Sequence, residues 1–157
     1  MKKSVYIDST ILSIHCDNRS EIANETAVTI RWWREERNNF SLFISEETIA
    51  EIVAGNYPRK DEVIALAESI TVLPPEPHIT EIASVYLAYK LMPEPLKGDA
   101  LHLAYASFYK IDFLLTWNCN HLANANKRQH IRVVNTRLNL SVPEIITPFE
   151  LFTETDK

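Results

Sequence analysis

Three acidic residues sit where solubility alone does not explain a carboxylate. Asp8 directly follows the apolar run VYI in YIDST, Glu51 interrupts the apolar pattern TIAEIVA, and Asp99 opens KGDALHLAYAS. Taken singly, each has an ordinary explanation: Asp8 and Asp99 can cap a turn or helix, and Glu51 can be a solvated helix residue. Taken together they are more informative, because buried like charges raise one another's pKa unless a cation holds them ionised. Carboxylates without a histidine or cysteine cluster beside them are hard oxygen donors. They suit Mg²⁺ or Mn²⁺ rather than zinc.

A fourth stretch belongs with these. LLTWNCNHLAN, residues 114–124, begins as an apolar run and ends in a tryptophan, three asparagines and a histidine. In open parallel α/β sheets, ligands and catalytic groups gather outside the carboxyl ends of the strands. If residues 114–116 are such a strand, Asn118, Asn120, His121 and Asn124 stand at the mouth of a site.

The elements that must position these residues alternate between strand and helix. Residues 4–7 read as a strand ending at Asp8, and 40–45 as a second strand. Between them, Ala23, Ala27, Ile30 and Trp33 or Arg34 recur at helical spacing over 22–38. Ser45 is a good N-cap for a helix to about Ala54, with Glu46 and Glu47 at its positive end and Gly55 to stop it. Further helices are predicted over 60–69, 78–91, 99–110 and 120–129, with strands at 71–75, 113–116 and 131–135. Ile79, Ile82, Ala83, Tyr86 and Leu87 form the inward stripe of one helix; Leu101, Ala104, Tyr105 and Phe108 form that of the next. The tail EIITPFELF is either a core strand or a partner surface. Strands separated by helices imply right-handed crossovers and a mostly parallel sheet covered on both faces.

Composition sets the bounds. The 157 residues are 46% hydrophobic, enough for one domain with a substantial core, so residues 1–157 are expected to form a single unit. The formal net charge of -5 excludes attraction to nucleic acid by bulk charge. A polyanion would need a local basic patch, a metal, or both. Two such patches are available: Arg31, Arg34 and Arg37 recur every third residue, and Lys127, Arg128 and Arg132 cluster later. Either can equally be a solvated helix face. The aromatics in RWWREER can stack on bases or pack in an interface. Cys16 and Cys119 have neither CxxC spacing nor the density of a disulfide scaffold, and no apolar run approaches membrane-spanning length. The expectation is a soluble cytoplasmic chain with reduced thiols and no membrane.

The order YIDST, SEETIAEI, GDALHLAYAS, LLTWNCNHLAN resembles the PIN domain, and most of all the VapC-type toxins of bacterial toxin–antitoxin pairs, over nearly the whole chain. The resemblance implies a three-layer α/β/α sandwich with a central parallel sheet of four to five strands. It also implies metal-dependent cleavage of RNA, a Mg²⁺ or Mn²⁺ cofactor, a cognate antitoxin and a homodimer. Carried over by motif, Asp8, Glu51 and Asp99 are the catalytic and metal-binding acids, and Thr10 is the small hydroxyl residue after the first of them. The chain departs from the common pattern after Thr116. Where many members have an acid, it has Asn118, which can ligate through its carbonyl oxygen but adds no negative charge. Thr116, Asn120, His121 and Asn124 are then expected to touch substrate or brace the strand end. Two alternatives share this fold: a catalytically weak module that binds RNA or protein, and a DNA-directed metal nuclease. A phosphotransfer domain using Asp8 as nucleophile fits less well, because YIDST offers no second acid nearby.

Overall fold

The structure, a computed structural model, describes residues 1–92, 98–119 and 122–153. Among these residues five strands form one parallel sheet: β1 (Lys3–Ile7), β2 (Phe40–Ile44), β3 (Thr71–Val72), β4 (Phe113–Leu115) and β5 (Glu144–Ile146), in the order β3-β2-β1-β4-β5. The chain moves outward from β1 through β2 to β3, then returns to lay β4 on the other side of β1. Right-handed crossovers in opposite directions put their helices on opposite faces. Accordingly α1 (Ser9–His15), α2 (Ala23–Glu35), α3 (Glu46–Val53) and α4 (Lys60–Glu68) bury residues with one face. The helices α5 (Pro77–Ala88), α6 (Asp99–Phe108) and α7 (Ala125–Arg137) bury theirs with the other.

Strand alternation divides the core accordingly. Tyr6, Leu114 and Ile145 join the α5–α7 side, whereas Val5, Ile7, Leu115 and Ile146 join the α1–α4 side. The expected three-layer sandwich is present, and its sheet has five strands.

Several local expectations are corrected. Residues 131–135 are not a strand but the centre of α7, and the helix expected over 120–129 starts at Ala125. Ile131, Val134 and Asn135 are buried at i, i+3 and i+4 while Val133 faces solvent, a helical period that the β-branched run IRVV conceals. The fifth strand lies in the tail instead, where Ile145 and Ile146 are core and Phe149 is 57% exposed. Helix α1 is not apparent from periodicity, because STILSIH is seven residues rich in β-branched and serine positions. Its start is dictated by Asp8, which caps it. In α2 the buried stripe is Thr29, Trp32 and Trp33, not Ala27 and Ile30. The Trp32 indole donates to the carbonyl of Leu151 (2.8 Å), and that of Trp117 to the Thr29 hydroxyl (2.8 Å), which fixes the helix rotation. Helix α6 is buried almost all round, from Ala100 to Ser107, because the sheet and α5 enclose it.

On the α5–α7 side a polar network is sealed in the core. The Tyr86 hydroxyl donates to Asn135 Oδ1 (2.7 Å), and Asn135 Nδ2 donates to Ser107 Oγ (2.8 Å) and to the carbonyl of Ser141 (2.9 Å). One fully buried amide thus ties α5, α6, α7 and the loop before β5. Asn135→Ala would leave these partners unsatisfied and open a small cavity. We expect a loss of about 2–4 kcal/mol in a urea unfolding titration, with an unchanged m-value.

Candidate active site at the sheet switch point

Strand order reverses at β1, between its neighbours β2 and β4, and the crevice outside the carboxyl ends there is the usual place for a site. Asp8 lies at that point, immediately after β1, and is only 2% exposed. Its Oδ1 accepts from the backbone N–H of Thr10 (3.0 Å) and from the Thr10 hydroxyl (2.5 Å), and its Oδ2 accepts from the Thr116 hydroxyl (2.5 Å). The last of these bonds joins the ends of β1 and β4 directly. Thr116 Oγ1 in turn accepts from the N–H of Asn118 (2.9 Å), and Thr10 Oγ1 accepts from that of Trp117 (3.0 Å). Burial pushes the Asp8 carboxyl above its ordinary pKa; the charge of His102 and the two hydroxyls oppose the rise, and Asp99 adds to it.

Glu51 points from α3 toward α6. Its Oε1 accepts from the Ser9 hydroxyl (2.8 Å) and is bonded to His102 Nε2 (2.6 Å). His102 is itself buried, and its Nδ1 meets the Tyr6 hydroxyl at 2.6 Å. The same hydroxyl reaches Ser45 Oγ (2.6 Å) and Thr48 Oγ1 (3.2 Å) at the start of α3. Burial disfavours the charged forms of both partners. The bond and charge between them outweigh it, so Glu51 lies below its ordinary pKa and His102 above, with Asp8 and Asp99 adding to the histidine's rise. The imidazole of His102 therefore stands among three acidic side chains that favour its protonation.

Asp99 is the first residue of α6, and its Oδ2 accepts from Asn118 Nδ2 (2.7 Å). The turn into this helix needs a glycine. Gly98 has φ +56°, and a Cβ there would lie 3.1 Å from Glu51 Oε2. Its N–H donates to Glu47 Oε1 (3.1 Å), so two glutamates one turn apart on α3 hold the entrance of α6.

The structure thus brings Asp8, Thr10, Thr116, Asn118, Glu51 and Asp99 to one place. Asn124 is the N-cap of α7: its Oδ1 accepts from Lys127 N (2.9 Å) and its Nδ2 donates to the carbonyl of Cys119 (3.0 Å). Asn120 and His121 lie outside the described residues. Sequence reasoning did not single out His102 and Tyr6. Their signals were faint: His102 is one helical turn after Asp99, and Tyr6 shares a strand face with Asp8.

The donor set fits a hard divalent cation in type. Asp99 is close enough to Asp8 to disfavour its ionisation, which a shared cation would relieve. Among the described residues no three histidine, cysteine or acidic side chains already form a metal cluster, and Glu51 is engaged by His102.

The expected basic rails are largely committed within the protein. Arg31 pairs with Glu35 (3.0 Å) and covers the Phe152 ring at 4.4 Å, while Arg37 covers Trp33 at 4.8 Å. Lys127 donates to the carbonyl of Leu91 (2.5 Å), and Arg128 to that of Ile145 (2.9 Å). Trp32 and Trp33 are core residues, which removes them as base-stacking platforms.

No protein-family model matches the chain, and no curated protein matches it by sequence. Solved structures do match. VapBC-1 from nontypeable Haemophilus influenzae aligns over 93% of this chain and 98% of its own, with TM-score 0.57 and 19% identity. VapC20 from Mycobacterium tuberculosis, described as a sarcin–ricin loop cleaving toxin, aligns over 74% of this chain and 92% of its own, with TM-score 0.57 and 11% identity. The fold is that of a VapC-like PIN domain. FitAcB from Neisseria gonorrhoeae shares it, covering 94% of this chain and 99% of its own at TM-score 0.56 and 12% identity.

Within this PIN fold the Glu51–His102 contact (2.6 Å) ties α3 to α6. Removing His102 takes one hydrogen-bond partner from Glu51 and one from the buried Tyr6 hydroxyl. His102→Ala should cost about 2–4 kcal/mol in chemical denaturation. A double-mutant cycle with Glu51→Ala should give a coupling of at least about 1 kcal/mol, and additive losses would remove the pair from the site's framework.

Proposed function

We propose that this chain is a metal-dependent endoribonuclease that hydrolyses RNA phosphodiester bonds, acting in the cytoplasm as the toxin of a toxin–antitoxin pair. One observation carries the reading: Asp8, Glu51 and Asp99, from three separate elements, converge at the switch point of a VapC-like PIN fold. Asp8 and Asp99, with Glu51 beside them, would hold one or two Mg²⁺ or Mn²⁺ ions. When bound, such an ion lowers the pKa of a water and offsets charge on the scissile phosphate. The chain's own residues set the geometry. Thr10 and Thr116 fix both oxygens of Asp8, Asn118 fixes Asp99, and the imidazole of His102 orients Glu51. The VapBC-1 and FitAcB neighbours support an antitoxin as partner, and we include a homodimer in the proposal.

A second reading is favoured by one specific observation. Each acid is already met by protein donors, Asp8 by two threonines, Glu51 by Ser9 and His102, and Asp99 by Asn118. A site so satisfied could serve a module that binds RNA or protein without cleaving it.

Calorimetric Mn²⁺ titration beside cleavage of a structured RNA and of the matched DNA separates the two. Asparagine caps helices as well as aspartate does, so Asp8→Asn should keep the fold while abolishing Mn²⁺ binding and RNA cleavage together. Wild-type protein that binds no Mn²⁺ and leaves RNA intact would establish the second reading. Asn118→Asp places a carboxylate against Asp99. The metal-free variant should melt several degrees below wild type, and Mn²⁺ should raise its Tm more than that of wild type. An equal Mn²⁺ effect on both would place Asn118 outside the metal's reach.

A further inference from the structure

A cavity of about 400 Å³ opens beside the acidic site and shares two of its residues, Ser9 and Glu51. Ser13, Asp17, Tyr57, Arg19 and Arg59 also line it, and its walls are mostly apolar. Both arginines are held in exposed ion pairs, Arg19 with Asp17 (2.9 Å), its side chain 66% exposed, and Arg59 with Glu62, its side chain 43% exposed. Exposed ion pairs contribute little, so either guanidinium can exchange a carboxylate for a phosphate, to which its planar fork is equally matched.

The backbone supports the placement of Arg59. It has a left-handed conformation (φ 64°, ψ 22°) just before α4, uncommon for a residue with a side chain. Its charge is felt by Cys16, another residue lining the same cavity. The Tyr57 hydroxyl donates to the carbonyl of Ile52, which ties the phenol ring at the cavity to the end of α3. An apolar cavity with a fixed aromatic ring and two arginines suits a planar base carrying an anionic tail. Its volume lies within the usual range of small-molecule sites, roughly 300–1,000 Å³.

We infer that this cavity is a nucleotide subsite, which receives one ribonucleotide of the RNA strand beside the acidic site, with Arg59 and Arg19 meeting its phosphate. The inference rests on the ribonuclease reading for the identity of the strand.

The test uses the full chain in EDTA, so that no metal contributes. The four 5′-ribonucleoside monophosphates are titrated while backbone amide NMR shifts are followed, with inorganic phosphate titrated in parallel. At least one nucleotide should shift the amides of Ser13, Tyr57 and Arg59. It should bind roughly tenfold more tightly than phosphate alone, and Arg59→Gln should weaken it by roughly tenfold. Arg19→Gln provides an independent variant if the first is poorly folded. Shifts confined to other surfaces, affinity unchanged in both variants, or phosphate binding as tightly as any nucleotide would overturn the subsite. RNA cleavage by wild type is measured separately. Cleavage without nucleotide binding at the cavity discards the subsite and leaves the nuclease reading intact. Nucleotide binding there without cleavage does the reverse.

Discussion

A carboxylate taken out of water has to be met by donors, and at Asp8 the donors come from elements that would otherwise have no reason to meet. Its two oxygens collect the first turn of α1 through Thr10 and the end of β4 through Thr116, more than a hundred residues away. The central pair of strands and the helix that follows them are thereby aligned at their carboxyl ends. The same logic repeats one layer out. Glu51 needs His102, His102 needs Tyr6, and Tyr6 reaches back to the start of α3. The circuit closes on itself, so α3, α6 and β1 cannot shift independently without exposing an unpaired buried group.

This dependence explains which parts of the molecule could be read from the chain. Asp8, Glu51 and Asp99 were visible because each is a charge set against an apolar pattern. The strands β1, β2 and β4 were visible as short apolar runs with marked ends. His102 was hidden for the opposite reason: inside LHLAYA it looks like one more helix residue, and nothing local reveals that it faces a glutamate from 51 positions earlier. The segment IRVVN was misjudged because β-branched residues favour strands locally, whereas burial of Ile131, Val134 and Asn135 against α5 and α6 decides for a helix. The tail was undecidable between core and surface, and it is both: Ile145 and Ile146 lie inside and Phe149 outside. Pairing partners are long-range facts, and periodicity is a short-range one.

Most expected basic clusters turn out to be structural, with guanidinium groups stacked on Phe152 and Trp33 or bonded to carbonyls. Such arginines stabilise by covering aromatic surface as much as by their charge. The site also holds His102, whose burial lowers its pKa while its bond to Glu51 and the acids around it raise it overall. When protonated, its imidazole offsets part of the acidic charge that a polyanion approaching the crevice would meet.

Residues 144–153 carry a consequence for how the molecule is made. Strand β5 completes the sheet beside β4, the Leu151 carbonyl accepts from Trp32 across 119 positions, and Thr153 donates from N (3.2 Å) and Oγ1 (2.9 Å) to the buried Glu36. During vectorial synthesis Trp32 therefore waits for its partner while those intervening residues are added, roughly 6–24 s at ribosomal speeds. Until then the α1–α4 layer has an open side. The nascent chain is left in a partly closed state in which a chaperone, a protease or a binding partner could intercept it before the domain is finished.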